Sequence, residues 1–219
     1  MTVHRPRGLS RRDHLRTALA AAAASLWPPA VRAAGPPVVT LLGDSIVAGY
    51  GLARGQALPA RLQAALNARG VAARVRAAGV SGDTTADGLA RVDFSVQPDT
   101  RLCVVALGGN DLLQGLDPRL TRANLDQIVQ RLQRRGITVL IAGIAAPPVI
   151  GAGYARAFDS AFAAVARARH AGLYRDLLAG VSGHAQLIQH DGVHPNAAGA
   201  SEIARRLAPV IARELAGLR

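Results

Sequence analysis

The sequence predicts an α/β fold in which a parallel sheet carries helices on both faces. Short apolar runs typical of buried strands alternate along the chain with longer segments that have helical spacing. Polar glycine-containing motifs follow the first three strand-like runs, at the sheet edge where such folds bind their ligands. The 219 residues suit one domain with a substantial core.

Five apolar runs are predicted to form the strands. The run 102–107 is the clearest, because it is apolar throughout and ends at a glycine pair. The single cysteine, Cys103, lies inside it, and we expect a buried core residue rather than a nucleophile. The predicted strands are 38–42, 71–75, 102–107, 137–141 and, as a short fifth strand, 173–174.

The segments between these runs are predicted to be helices. Arg69-Gly70 is a helix stop after the first of them, and Asp83 or Thr84 is positioned to cap the second. Pro209 lies inside the last one and is expected either to kink it or to break it in two. The helical patterns cover 58–66, 84–92, 125–132, 154–170 and 197–215.

Residues 1–33 have the layout of a signal peptide. A basic, polar stretch is followed by an Ala-rich apolar segment over 17–26 and by a small-residue site ending at Ala33. The apolar segment is too short to span a bilayer, which needs about 20 residues. The pair Arg11-Arg12 lies in a twin-arginine-like segment, and a basic leader of the general secretion route is the alternative. We expect cleavage near Ala33 and a periplasmic or secreted domain over 34–219.

The positive charge does not indicate a nucleic-acid partner. The formal net charge is +12, and all 26 basic residues are arginine. They are scattered, with no basic run longer than a pair and no interleaved aromatic residues, whereas nucleic-acid binders concentrate charge on one face. We therefore expect a solvated basic surface and no nucleic-acid binding.

Four short motifs together supply what acyl transfer to a serine requires, although each alone is typical of a turn or a helix cap. Ser45 is the candidate nucleophile, His194 the candidate base, and Asp191 the group that orients the imidazole. An oxyanion hole needs fixed donors, and the candidates are the backbone N–H groups of Ser45 and Gly82 and the side-chain amide of Asn110. The motifs are Gly43-Asp44-Ser45, Ser81-Gly82-Asp83, Gly108-Gly109-Asn110-Asp111 and Asp191-Gly192-Val193-His194-Pro195-Asn196.

The order of these motifs resembles the SGNH, or GDSL, hydrolase superfamily, and within it the periplasmic branch of thioesterase I, lysophospholipase and arylesterase. The resemblance extends over most of residues 38–215. It implies a flavodoxin-like three-layer α/β/α sandwich with a central, mainly parallel five-stranded sheet. It also implies the same catalytic and oxyanion residues, no metal ion and no organic cofactor.

The resemblance further implies where the substrate binds. Leu112, Leu113 and Leu116 match a mobile loop over the acyl groove, and Pro147 belongs to the groove wall. This chain has Ala145-Ala146 in that wall, where the branch has a bulkier residue. The implied reaction is hydrolysis of small-molecule carboxylic esters, and of acyl thioesters or lysophospholipids, through an acyl-serine intermediate. We expect the protein to act as a monomer without a membrane span.

Three other functions are compatible with parts of the pattern. A carbohydrate O-deacetylase would use the same residues on a polar substrate, but the Leu-rich stretch after Asn110 favours an acyl chain. A non-catalytic binding module would not need the whole residue set. A nucleotide-binding doubly wound protein is the third alternative, but no Gly-x-Gly-x-x-Gly follows the first strand. We expect Asp44 to cap the helix after the first strand, and His190 not to be the base.

Overall fold

The centre of the computed structural model is a parallel sheet. The structure describes residue 2 and residues 35–218, and in that part of the chain the sheet has five strands in the order β2-β1-β3-β4-β5. All neighbouring strands pair in parallel, as the alternating pattern predicts, and the strand order is that of the flavodoxin-like fold that the resemblance implies. The strands are β1 (Val38–Gly43), β2 (Arg74–Gly79), β3 (Thr100–Ala106), β4 (Thr138–Ala142) and β5 (Gly172–Tyr174).

Helices cover both faces of the sheet. On one face α2 packs against α7, and on the other α5 packs between α3 and α6. Short 3₁₀ turns lie at Pro148–Ile150 and Ala185–Leu187. The helices are α1 (Ser45–Ala48), α2 (Leu58–Asn67), α3 (Thr85–Ser95), α4 (Gly109–Leu113), α5 (Pro118–Arg134), α6 (Ala152–Arg169) and α7 (Ala197–Ala216).

The core is built mainly from aliphatic side chains of the central strands. All six residues of β1 are buried, and Thr40 Oγ1 lies 2.8 Å from Thr100 Oγ1, so the two hydroxyls satisfy each other inside the sheet. Cys103 is buried as predicted, and burial raises the pKa of its thiol to about 12. The thiol therefore stays protonated and unreactive.

The second strand begins later than its apolar pattern indicates. The predicted run was 71–75, whereas β2 spans Arg74–Gly79 and pairs with β1 from Val38↔Arg74 to Gly43↔Gly79. Val71 instead donates its N–H to Leu66 O and closes the end of α2. Because β2 is an edge strand, its position follows from pairing with β1 rather than from burial, and it tolerates polar residues.

Two local alternatives in the sequence are resolved by the structure. Thr84, not Asp83, caps α3, in a capping box with Asp87. Pro209 lies inside α7 without breaking it, since the helix runs without interruption from Ala197 to Ala216. The apolar face of α7 packs on the core, and this packing offsets the loss of the backbone hydrogen bond that Pro209 cannot donate.

The predicted signal peptide lies outside the described residues, apart from residue 2. In the described part of the chain, no helix combines the length and the apolar character needed to cross a membrane.

Candidate active site

The candidate residues meet at the carboxyl edge of the sheet. Ser45 begins α1 and is separated from the end of β1 by one residue, and Asn110 lies in α4, which is separated from the end of β3 by two residues. Asp83 follows the neighbouring strand β2, so three adjacent strand ends contribute to one place. His194 reaches this edge from the loop before α7.

The turn that carries Ser45 is tight, and two glycines permit it. A Cβ on Gly43 would lie 2.4 Å from Val47 Cγ2 and 2.8 Å from the Ala106 carbonyl oxygen. A Cβ on Gly79, the β2 residue paired with Gly43, would lie 2.4 Å from the backbone nitrogen of Ala48. The absence of both side chains lets α1 rest on the strand ends, which brings Ser45 to the edge of the sheet.

Ser45, His194 and Asp191 form a hydrogen-bonded chain. His194 Nε2 lies 2.8 Å from Ser45 Oγ, and His194 Nδ1 lies 2.6 Å from Asp191 Oδ2. An ionised carboxylate only accepts hydrogen bonds, so Nδ1 carries the ring proton and Nε2 is the acceptor that faces the serine hydroxyl. This is the protonation state that a general base needs.

Asp191 is held ionised by its own loop. Its Oδ1 accepts from the backbone N–H of His194 at 3.0 Å and from that of Val193 at 2.9 Å. These two bonds, and then the bond from the His194 ring, lower the pKa of Asp191 to about 2. The carboxylate therefore orients both the loop and the imidazole at any pH at which the protein would work.

The histidine loop is closed at its base by local contacts. Ile188 and Pro195 form an antiparallel bridge, and Asn196 donates its backbone N–H to Leu187 O at 2.9 Å. The Asn196 side chain caps α7 by accepting from Ala198 N and Gly199 N. The start of α7 thereby sets the position of His194.

Tyr50 and Gln189 connect the segment after Ser45 to the histidine loop, and neither residue was predicted to belong to the site. The Tyr50 ring lies against the His194 ring, with centroids 4.6 Å apart and planes tilted by 36°. Gln189 Nε2 donates to Tyr50 O at 2.8 Å and to Pro195 O at 3.0 Å. Tyr50 follows Ser45 by five residues, so its closeness in the chain to the predicted nucleophile was the available signal.

Two predicted oxyanion-hole residues, Asn110 and Gly82, differ in their position relative to the cavity. Asn110 lines the cavity beside Ser45 and His194, and its Nδ2 donates to the backbone carbonyl of Asp83 at 2.8 Å. Gly82 precedes Asp83 in an exposed turn with φ +90°, a conformation that favours glycine, and it is not among the described residues that line the cavity.

Two buried carboxyl groups support these turns. Asp44 accepts from the backbone N–H of Ile46 at 3.0 Å and caps α1, as predicted, and its burial raises the pKa of this carboxyl to about 6. Asp111 accepts from Thr85 N at 2.8 Å and from Thr121 Oγ1 at 3.0 Å. Asp111 thus ties α4, which carries Asn110, to the helices on either side.

An apolar cavity of about 100 Å³ opens beside Ser45. Of the four predicted substrate-binding residues, Leu112 and Leu113 line it, whereas Leu116 and Pro147 are not among its described lining residues. Four further apolar residues line the cavity and were not predicted to do so. The first two in the list below are neighbours in sequence of Ser45 and His194, and nothing in the local sequence indicates the last two. The four residues are Ile46, Val193, Ile144 and Leu178.

The other ionisable groups do not extend the site. His170, His184 and His190 are exposed and do not line the cavity. Among the described residues, no group of three or more His, Cys, Asp or Glu is arranged to hold a metal ion.

Comparison with known proteins places the chain in a family. Residues 41–201 match the GDSL-like lipase/acylhydrolase family model. Esterase TesA of Pseudomonas aeruginosa is 37% identical over 172 residues, which cover 78% of this chain and 86% of that protein. An Escherichia coli protein named as a thioesterase, protease and lysophospholipase is 34% identical over 166 residues, covering 75% of this chain and 78% of its own length.

A solved structure agrees in both fold and sequence. The crystal structure of AlinE4, an SGNH-hydrolase family esterase, is 45% identical with a TM-score of 0.69, covering 83% of this chain and 98% of that one. The chain therefore belongs to the GDSL-like lipase/acylhydrolase family and is a serine acyl hydrolase.

Proposed function

We propose that Ser45 is the nucleophile of this hydrolase, with His194 as its general base and Asp191 as the group that orients the imidazole. The main support is the distance of 2.8 Å between Ser45 Oγ and His194 Nε2. As Oγ attacks the substrate carbonyl carbon, Nε2 takes the hydroxyl proton, and the imidazolium then returns it to the leaving alcohol or thiol. Water, activated by the same nitrogen, hydrolyses the acyl-serine ester and regenerates the hydroxyl.

The proposed oxyanion donors are the backbone N–H groups of Ser45 and Gly82 and the side-chain amide of Asn110. Negative charge builds up on the carbonyl oxygen in the tetrahedral intermediate, and fixed N–H donors stabilise it. The hydrogen bond from Asn110 Nδ2 to Asp83 O supports this role, because it fixes which end of the amide is nitrogen. Loss of one such donor typically lowers kcat by about 10²- to 10³-fold.

We propose that the preferred substrates are small-molecule esters with a short acyl group. Support comes from the cavity, which is lined mainly by aliphatic side chains and has a volume of about 100 Å³. Pockets for drug-sized ligands typically measure about 300–1,000 Å³, so this cavity encloses only a few methylene groups, and a longer acyl chain would extend from its open side. The name of the Escherichia coli relative extends the proposal to acyl thioesters and lysophospholipids. The apolar lining favours an acyl chain over the sugar of a carbohydrate O-deacetylase.

The test is hydrolysis of p-nitrophenyl esters from acetate to decanoate by the purified protein. We expect turnover that peaks at short chains and falls by about 10⁴-fold or more in Ser45→Ala. Ser160→Ala, a matched change at an exposed serine of α6, should retain full activity. A phosphonate ester should label Ser45 and no other serine; unchanged turnover in Ser45→Ala would overturn the assignment. Faster cleavage of acetylated sugars than of any acyl ester would favour the deacetylase.

We also propose that residues 1–33 direct export to the periplasm or beyond, that cleavage occurs near Ala33, and that residues 34–219 act as a monomeric hydrolase domain. The leader pattern supports export, and a site assembled from one chain supports the monomer. Changing both Arg11 and Arg12 to Lys should block export through a twin-arginine route, and unimpaired export would favour the general route. Light scattering after size exclusion should give the monomer mass.

A further inference from the structure

Arg91 joins three segments at the carboxyl edge of the sheet. From α3 its side chain reaches four acceptors among the described residues, and only 18% of that side chain is exposed. Nε donates to Asp83 Oδ2 at 2.5 Å, and Nη2 donates to Gly43 O at 2.8 Å. Nη1 donates to Ala78 O and to Ser95 Oγ, both at 3.0 Å.

The acceptors lie next to the proposed catalytic groups. Gly43 is the last residue of β1 and is separated from Ser45 by one residue. Asp83 follows Gly82, and its backbone carbonyl accepts from Asn110 Nδ2 at 2.8 Å. The guanidinium of Arg91 therefore connects the nucleophile turn to the residue that holds the Asn110 amide.

The bond to Asp83 O determines how the Asn110 amide is aimed. A carbonyl oxygen accepts only from the NH₂ end of an amide, so the amide cannot rotate by half a turn without losing this bond. Asn110 and Ser45 line the same cavity, and Asn110 Nδ2 has a second N–H that makes no hydrogen bond within the described residues. If Asp83 shifts, this N–H shifts with it.

We propose that Arg91 is a positioning residue for the oxyanion hole, acting through Asp83 on Asn110; the proposal rests on the donor role proposed above for Asn110. A guanidinium suits this task because its N–H groups point in fixed directions within a plane and serve several acceptors at once. An ammonium group is compact and rotates freely, so a lysine would keep the charge and lose the fixed geometry.

The test is a double-mutant cycle between Arg91→Lys and Asn110→Ala, measured as kcat and KM for p-nitrophenyl butyrate. Asn110→Ala should lower kcat by about 10²-fold or more. Arg91→Lys should lower kcat by about tenfold with KM within about twofold, since the oxyanion forms only along the reaction. In the Asn110→Ala background the effect of Arg91→Lys on kcat should shrink to less than about twofold, because the Asn110 amide that Arg91 positions is absent.

The control is Arg169→Lys, which alters the partly exposed Arg169–Asp126 ion pair between α5 and α6. Its kcat should stay within about twofold of the unmodified protein. If Arg91→Lys fails to fold, Asp83→Asn replaces it in the cycle. This variant weakens the hydrogen bond between Arg91 and Asp83 and keeps the size of the Asp83 side chain.

The outcomes separate the two proposals. If Asn110→Ala leaves kcat unchanged, the donor role of Asn110 is wrong and the positioning role of Arg91 falls with it. If Asn110→Ala lowers kcat but the effect of Arg91→Lys is absent, or is equally large in both backgrounds, the positioning role alone is wrong.

Discussion

The imidazole nitrogen Nε2 of His194 lies 2.8 Å from Ser45 Oγ, although 149 positions separate the two residues in the chain. Each residue is placed by its own local structure, Ser45 by the turn after β1 and His194 by the loop that Asn196 closes at the start of α7. Their contact depends on the packing of α1 and α7 around the sheet. Variants that alter one partner at a time test what this arrangement does.

Replacing Asp191 by Asn should lower kcat by about 10³- to 10⁴-fold with little change in KM. The carboxamide can still accept from the backbone N–H groups of Val193 and His194, so the loop should keep its shape. Its NH₂ group would then face His194 Nδ1, which forces the ring proton onto Nε2 and leaves no acceptor for the hydroxyl of Ser45. Asp117→Asn, at the cap of α5, should have no effect, and a loss below about tenfold in Asp191→Asn would contradict the role.

Truncating Tyr50 to Ala should lower kcat by about two- to fivefold. The Tyr50 ring lies 4.6 Å from the His194 ring and should stabilise the imidazolium expected if His194 is the base, and contacts of this type contribute about 0.5–1 kcal/mol at exposed sites. Tyr50→Phe keeps the ring and should keep kcat, since the Tyr50 hydroxyl makes no hydrogen bond within the described residues. Equal losses in the Ala and Phe variants would show that the hydroxyl, not the ring, is responsible.

Asp44→Asn should change how the stability of the protein depends on pH. Burial raises the pKa of Asp44 from 3.8 to about 6, so from about pH 4 to 6 the unfolded state releases this proton while the folded state retains it. The folded state therefore loses stability as pH rises through this window, and the ionised carboxyl costs about 3 kcal/mol above it. Asn lacks this ionisation and still caps α1.

The measurement is urea unfolding of Asp44→Asn and of the unmodified protein at pH 4 and pH 7. Carboxyls that do not interact with Asp44 cancel in the difference between the stabilities of the two proteins. We expect the variant to gain relative stability at pH 7 over pH 4, by up to about 3 kcal/mol. A difference that is the same at both pH values would contradict the raised pKa of Asp44.

Leu178→Ala should move the substrate preference toward longer acyl groups. Leu178 lines the cavity, and its truncation adds room for two or three methylene groups, each worth about 0.8 kcal/mol when buried. We expect the ratio of kcat/KM for octanoate over butyrate p-nitrophenyl esters to rise about tenfold or more. Leu120→Ala, at a leucine of α5 that is 58% exposed, is the control and should leave this ratio unchanged. An unchanged ratio in Leu178→Ala would place the acyl group elsewhere.

The sequence by itself determined the fold class, the positions of four of the five strands within a few residues, and the candidate catalytic residues. These features are local: a buried strand must be apolar along its length, and a turn such as Gly43-Asp44-Ser45 must carry glycine and a capping side chain. The order of the four motifs along the chain was enough to identify the family, because the same chemistry requires the same few residue types.

Only the tertiary structure decided which distant residues meet. The position of β2 follows from its pairing with β1, and the places of Ile144 and Leu178 in the cavity follow from packing at the sheet edge. The contacts of Arg91 with Gly43 and Asp83 span 48 and 8 positions and have no sequence signature. Local propensity acts over a few neighbouring residues, whereas these contacts depend on how strands and helices pack, which no single segment of the chain specifies.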